Sequence, residues 1–193
     1  MAEYIPVAVG FMRGYEAIPP TDPSTVEEAA ALINNAKKPL VLIGQGVEIG
    51  GAQDVVRELI EKADMPAGCT LLGLSCLSSD HPLNIGMLGM HGSLAANVKT
   101  QECDLLIAIG MRFDDRITGK ITTYARQAKK IHFDIDSSEI NKNIHIDVPV
   151  LGNCLETVAA VLKLVKPNDH KEWRESFIPY QKKEQETVIN VEV

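Results

Sequence analysis

Residues Asp104 to Gly119 read Asp-Leu-Leu-Ile-Ala-Ile-Gly-Met-Arg-Phe-Asp-Asp-Arg-Ile-Thr-Gly, and this stretch decides how the rest of the chain is read. Leu105 to Ile109 is a continuous apolar run with no polar alternation. Such a run is too short for a free-standing helix and suits a strand buried on both faces. Gly110 stops it, and Arg112, Asp114, Asp115 and Arg116 follow at once. In open parallel α/β sheets ligands bind just beyond the carboxyl ends of the strands, so charges gathered at such an end read as a site. A surface turn whose charges pair with one another in solvent would show the same spacing.

Working outward, strands and helices alternate. Ser24-Thr25-Val26-Glu27 has the form of a capping box and predicts a helix running to about Lys37. Pro39 opens a strand through Leu40 to Ile43, ended by Gly44-Gln45-Gly46. A helix over Ala52 to Ala63 carries Val55, Val56, Leu59 and Ile60 on one face. Pro66 to Leu71 is a second strand, and Gly73 to Gly86 reads as a loop. A short helical stretch spans Ser93 to Thr100, and Ile121 to Gln127 has helical spacing. Lys130 to Asp136 is a strand ending in acid, with Ser137 or Ser138 as the cap beyond it. Val148 to Leu151 is the fifth strand and Asn153 to Leu164 the last core helix. This alternation predicts an α/β fold, a three-layer, doubly wound parallel sheet of Rossmann-like type. The domain is expected over 23–166. Residues 1–22, with Pro6, Pro19, Pro20, Gly10 and Gly14, read as a lead-in linker, the start expected of a piece of a longer chain. The charged segment 167–193 reads as a solvated linker or helix leading out.

The chain has 193 residues, 45% apolar and 23% charged, with a net charge of −7 and scattered Lys and Arg, which argues against a nucleic-acid groove. No apolar run is long enough to span a bilayer, and the N-terminus lacks the form of a signal peptide, so no membrane role and a cytoplasmic location are expected. Cys69, Cys76, Cys103 and Cys154 show no CxxC pair and no metal spacing, so no metal site is expected.

Gly44-Gln45-Gly46 follows a strand as in a dinucleotide fold, but the third glycine of G-x-G-x-x-G falls on Ile49, with glycine only at Gly50 and Gly51. The second strand ends at Thr70-Leu71 rather than at an acid, which disfavours the usual NAD site. Backbone contact to phosphate and a plain tight turn both remain open for these glycines. His91 sits between glycines in Gly89-Met90-His91-Gly92, and a lone histidine there is either structural or functional; His132 and His145 read as ordinary positions. Asp134 at a strand end can accept two sugar hydroxyls, Asp136 can serve instead as a helix cap, and Arg112 can fork onto phosphate. Together these residues predict a nucleotide or dinucleotide held at strand ends, though not in the NAD manner.

Leu88-Gly89-Met90-His91-Gly92, Gly110-Met111-Arg112-Phe113-Asp114-Asp115-Arg116 and His132-Phe133-Asp134-Ile135-Asp136 together resemble the central domain of the acetolactate synthase (acetohydroxyacid synthase) large subunit. Pro39 to Gly44 and Thr70 to Leu74 fit the same family in the same order. The resemblance spans about residues 24–160. It implies a thiamine-diphosphate enzyme of three α/β domains, the outer two holding thiamine diphosphate, Mg²⁺ and an activating glutamate, and the middle one FAD. The whole enzyme joins a two-carbon unit from pyruvate to a second 2-keto acid in branched-chain amino-acid synthesis. Its expected partners are the two thiamine-binding domains, further copies in a homo-oligomer, and a regulatory small subunit.

By the same resemblance, the expected FAD contacts are Gly44, Gln45, Gly46, Thr70, Leu71, Leu88, Gly89, Met90, His91, Gly110, Met111, Arg112, Phe113, Asp114, Asp134, Ile135, Asn153 and Cys154. Asp115 and Arg116 would face the catalytic interface, and no catalytic residue lies in this span, which is expected to be inert alone. Two positions depart from the family pattern: Gln45 stands where glycine is usual, and Asn153 where aspartate is usual. Around Gly50 and Gly51 two inserted residues would only lengthen a loop. The alternatives are the central domain of a glyoxylate carboligase or a pyruvate oxidase, or a packing module that has lost FAD.

Overall fold

A computed structural model describes residues 18–189, so most of the expected lead-in lies outside the described residues. Six parallel strands form one sheet in the order β3-β2-β1-β4-β5-β6. They are β1 (Pro39–Ile43), β2 (Ala67–Cys69), β3 (Asn84–Met87), β4 (Leu105–Ile109), β5 (Lys129–Asp134) and β6 (Val148–Leu151). Central β1 pairs with β4 over five residues, Pro39 opposite Leu105 through Ile43 opposite Ile109, and all ten are buried. Their apolar run without alternation is what burial on both faces requires. The sheet is thus the expected three-layer α/β arrangement, with one strand more than the sequence shows.

Alternate strand residues feed two cores. Val41, Ile43, Ile107, Ile109, Ile131 and Phe133 pack against α1 (Pro23–Asn35), α3 (Gln53–Lys62) and α6 (Cys154–Leu164). Leu40, Leu42, Leu106 and Ala108 pack on the other face with α4 (Leu94–Thr100), Phe113, Tyr124 and Ile144. The second face is closed by α7 (Lys171–Glu175) and α8 (Ile178–Glu184). Trp173 and Phe177 are buried there, and their rings meet edge to face at 5.0 Å. Within the described residues of the charged segment, α7 and α8 put one face into the core rather than into solvent.

Several local expectations change. The first helix is capped by Asp22, whose Oδ1 accepts from Ser24 N at 2.8 Å, with Pro23 in the first turn; Ser24 is therefore inside the helix rather than its cap. The stretch Ile121 to Gln127 is a run of turns, not a helix, with Ala125 at φ 39° and its N–H held by Gln101 Oε1 at 2.9 Å. Beyond β5 the cap is Asp136, whose Oδ1 accepts from Ser138 N, rather than Ser137 or Ser138. The expected loop over Gly73 to Gly86 contains the end of a 3₁₀ turn (Leu71–Cys76) and the start of β3.

Candidate functional site

The strand order reverses between β1 and β4, and outside their carboxyl ends lies a cleft of about 580 Å³. Such a switch point is where open α/β sheets hold ligands. Its floor is the meeting of two turns. Gly44 N–H donates to Ile109 O and Gly46 N–H to Gly110 O, both at 2.9 Å. These N–H groups are spent on the fold, which favours the tight-turn reading of this pair over phosphate contact. A Cβ on Gly44 would collide with Gly110 O and Met111 Cβ, and one on Gly110 would stand 2.7 Å from Gly46 Cα. Gly110 also has φ +61°, a left-handed conformation that disfavours side chains. Gly110→Ala is expected to cost at least about 2 kcal/mol from this strain and crowding together, read as a lower urea midpoint at unchanged m.

Asp134 ends β5 on the cleft wall and is 8% exposed. Its Oδ1 accepts from Asp136 N at 2.9 Å, and its Oδ2 lies 3.3 Å from His132 Nε2. His132 is fully buried behind it and donates from Nε2 to Met111 O at 2.7 Å. A carbonyl only accepts, so Nε2 carries a proton. The ring's Nδ1 has no partner among the described residues. The sequence treats His132 as ordinary, yet it ties the two strand ends together beneath the cleft.

Arg112 reaches over the cleft from the β4 turn with its side chain 68% exposed, and Asp114 Oδ2 is 3.8 Å away. An exposed pair at that separation is worth little, which leaves the guanidinium free to take an anion. Asp114 has a structural use as well, since its Oδ1 caps α5 (Asp115–Thr118) by accepting from Arg116 N at 3.2 Å. Asn153 also lines the cleft, while its Oδ1 accepts from Leu155 N at 2.8 Å as the cap of α6. The rim is apolar: Ile49, Leu71 and Leu72 are 78%, 69% and 61% exposed, and Ile135 is 43% exposed. Cys154 is buried at one wall, and its thiol is pushed up to about 12 by burial first and the nearby Asp134 charge second.

The structure brings Gln45, Gly46, Thr70, Leu71, Gly110, Met111, Arg112, Asp114, Asp134, Ile135, Asn153 and Cys154 to this cleft. It does not bring the other anticipated contacts there. Gly44 lies under the floor, and Phe113 is in the core. Leu88, Gly89 and Met90 line a second, smaller cavity of about 300 Å³ with Asp115, which meets the first at Arg116 and Ile117. His91 is exposed outside both. Sequence reasoning missed Ile49, Leu72 and Ile117, and took Gly50 as loop length; Gly50 lines the cleft, where an added Cβ would meet Cys154 Cβ at 3.5 Å and Asn153 Oδ1 at 3.6 Å. A signal for Leu72 was present, since it continues the Thr70-Leu71 run.

Residues 26–161 match the family described as thiamine pyrophosphate enzyme, central domain. This chain belongs to that family. The thiamine pyrophosphate enzyme central domain here is 42% identical over 174 residues to a probable acetolactate synthase large subunit of Methanocaldococcus jannaschii, covering 89% of this chain and 29% of that protein. It is 44% identical over 150 residues to the acetolactate synthase isozyme 2 large subunit of Escherichia coli, covering 78% of this chain and 27% of that protein. An acetolactate synthase of Mycobacterium bovis matches at 44% over 157 residues, 80% of this chain and 25% of that protein. The central domain thus spans between a quarter and a third of these relatives. Among the described residues no helix is long and apolar enough to cross a membrane, and no group of three His, Cys, Asp or Glu could hold a metal ion.

Proposed function

We propose that this chain is the FAD-holding central domain of an acetolactate synthase large subunit. The single observation that carries the flavin assignment is the donor set of the 580 Å³ cleft, where the Asp134 carboxylate and the Arg112 guanidinium line one cavity with an apolar rim. These groups fit FAD in kind. The carboxylate accepts sugar or ribityl hydroxyls, and the guanidinium pairs with the diphosphate in a fork. Ile49, Leu71, Leu72 and Ile135 give the aromatic rings an apolar cover. FAD, when bound, supplies an isoalloxazine ring capable of redox chemistry, although the net carboligation of two 2-keto acids needs none. His132 holds Asp134 and the Met111 carbonyl in place from behind.

The parent enzyme is a thiamine-diphosphate-dependent transferase that condenses pyruvate with a second 2-keto acid, and this span alone forms no acetolactate. Thiamine diphosphate and Mg²⁺ belong to the other two domains, with a regulatory small subunit and further copies as partners, in the cytoplasm.

The test is a titration with FAD followed by flavin fluorescence, on this span and on the longer chain that carries it, with ADP and NAD as competitors. Saturable binding that ADP weakens and NAD does not is expected. Asp134→Ala, which removes a charged hydrogen-bond acceptor, is expected to weaken binding at least about tenfold. Binding to neither protein, or binding that Asp134→Ala and Arg112→Gln leave unchanged, rejects the assignment.

A further inference from the structure

A further cavity, of about 360 Å³, opens beside the amino-terminal half of β5 and shares no lining residue with the FAD cleft. It is lined by Thr122, Tyr124, Arg126, Lys130, Asn143 and His145, with Ile121 and Ile144. Lys130 is only 8% exposed, and its Nζ donates to Ala128 O at 2.8 Å, one of the three bonds an ammonium can make. Tyr124 is 5% exposed, and its hydroxyl has no partner among the described residues. Arg126 is exposed and forms no ion pair among the described residues. No carboxylate lines the cavity. Asp147, whose charge is felt by Lys130, is already engaged by Lys129 Nζ at 2.7 Å and Lys130 N at 2.9 Å.

In a chain of net charge −7, a cavity that gathers two cations and a histidine without an acid calls for an anion. We infer that this cavity is a binding site for a small oxyanion, phosphate or carboxylate, bridged by Lys130 and Arg126. An oxyanion gives the ammonium and the guanidinium charge-assisted hydrogen bonds, so it answers both deficits at once. Burial pushes the Lys130 ammonium pKa down, with Asp147 acting in the opposite direction, and a bound anion would raise it again. The site does not depend on whether the other edge holds FAD.

Calorimetric titration with inorganic phosphate and, separately, with acetate tests this, at constant ionic strength set with chloride. Saturable binding of at least one is expected, and which one binds assigns the class. Arg126→Gln, at an exposed position, is expected to weaken binding about tenfold without changing the melting temperature in the absence of ligand. Lys130→Met should abolish it. Saturable binding of neither anion overturns the inference, and so does binding that Arg126→Gln leaves at full strength.

Discussion

Trp173→Ala is expected to lower the stability of the domain by about 3–5 kcal/mol, the cost of emptying a large buried aromatic site. Trp173 is 5% exposed, stacks edge-on against Phe177 at 5.0 Å, and donates from Nε1 to Pro39 O at 2.8 Å. That bond ties the segment after the last core helix to the first residue of the central strand. The ring also faces the Lys99 ammonium at 5.2 Å from its centroid. Lys99 is 4% exposed and keeps Glu102 at 2.7 Å, so loss of the ring removes part of what makes its burial tolerable. A shift of that size corresponds to a fall in melting temperature of very roughly 10 °C in a domain of this length. Urea unfolding of the variant checks it. A change below about 0.5 kcal/mol would mean that the segment does not pack as the structure places it.

The second large effect is at alkaline pH. Cys69, Cys103 and Cys154 are pushed up to about 12 from 9.0, in each case chiefly by burial. Neighbouring charges add to this: Cys76 beside Cys69, Asp104 beside Cys103, and Asp134 beside Cys154. Cys76 and Tyr124 shift upward as well, again mainly through burial. A thiol whose folded pKa is raised keeps its full stabilising contribution below the unfolded value, and loses it as pH climbs toward the folded value. The window is therefore pH 9 to about 12. Each thiol forfeits about 1.4 kcal/mol per pH unit in that window, so three forfeit about 4 kcal/mol per unit. Across the window that is about 12 kcal/mol, most of a total stability of roughly 5–15 kcal/mol, so unfolding is expected to set in inside it. Thiolate absorbance is then expected to rise together with the loss of helical circular dichroism. Thiolates appearing near pH 9 in a chain with intact circular dichroism would contradict the burial of these sulfurs.

The layers of the fold were legible because β1 and β4 are buried on both faces and so carry uninterrupted apolar runs. β3 was not, because Asn84-Ile85-Gly86-Met87 is a sheet edge in which Ile85 alone is buried. The short α2 (Gln45–Ile49) offers one buried residue, Val47, too little for a period to show. The cap at Asp22 was readable from Pro23 behind it, since proline favours the first turn, but the Ser24-Glu27 pair competed for the same assignment. In the tail, Trp173, Phe177 and Tyr180 recur at i, i+4 and i+7, a stripe hidden by the density of charge around it.

The placement of Arg112 and Asp134 on the cleft was legible because strand ends are where charge is informative. His132 was missed because a histidine inside an apolar run shows no outward sign of which carbonyl and carboxylate it will meet. The cavity around Lys130 was missed for the same reason: its residues come from a turn, a strand start and a loop that only the fold brings together.

The proposed placement of FAD along the carboxyl edge of the sheet is tested most directly by amide hydrogen exchange with and without FAD. Slowed exchange is predicted over 45–50, 70–72, 110–117, 134–135 and 153–154, with 121–130 and 143–145 unchanged. Saturable binding of FAD that leaves exchange over 110–117 and 134–135 unaltered would contradict it.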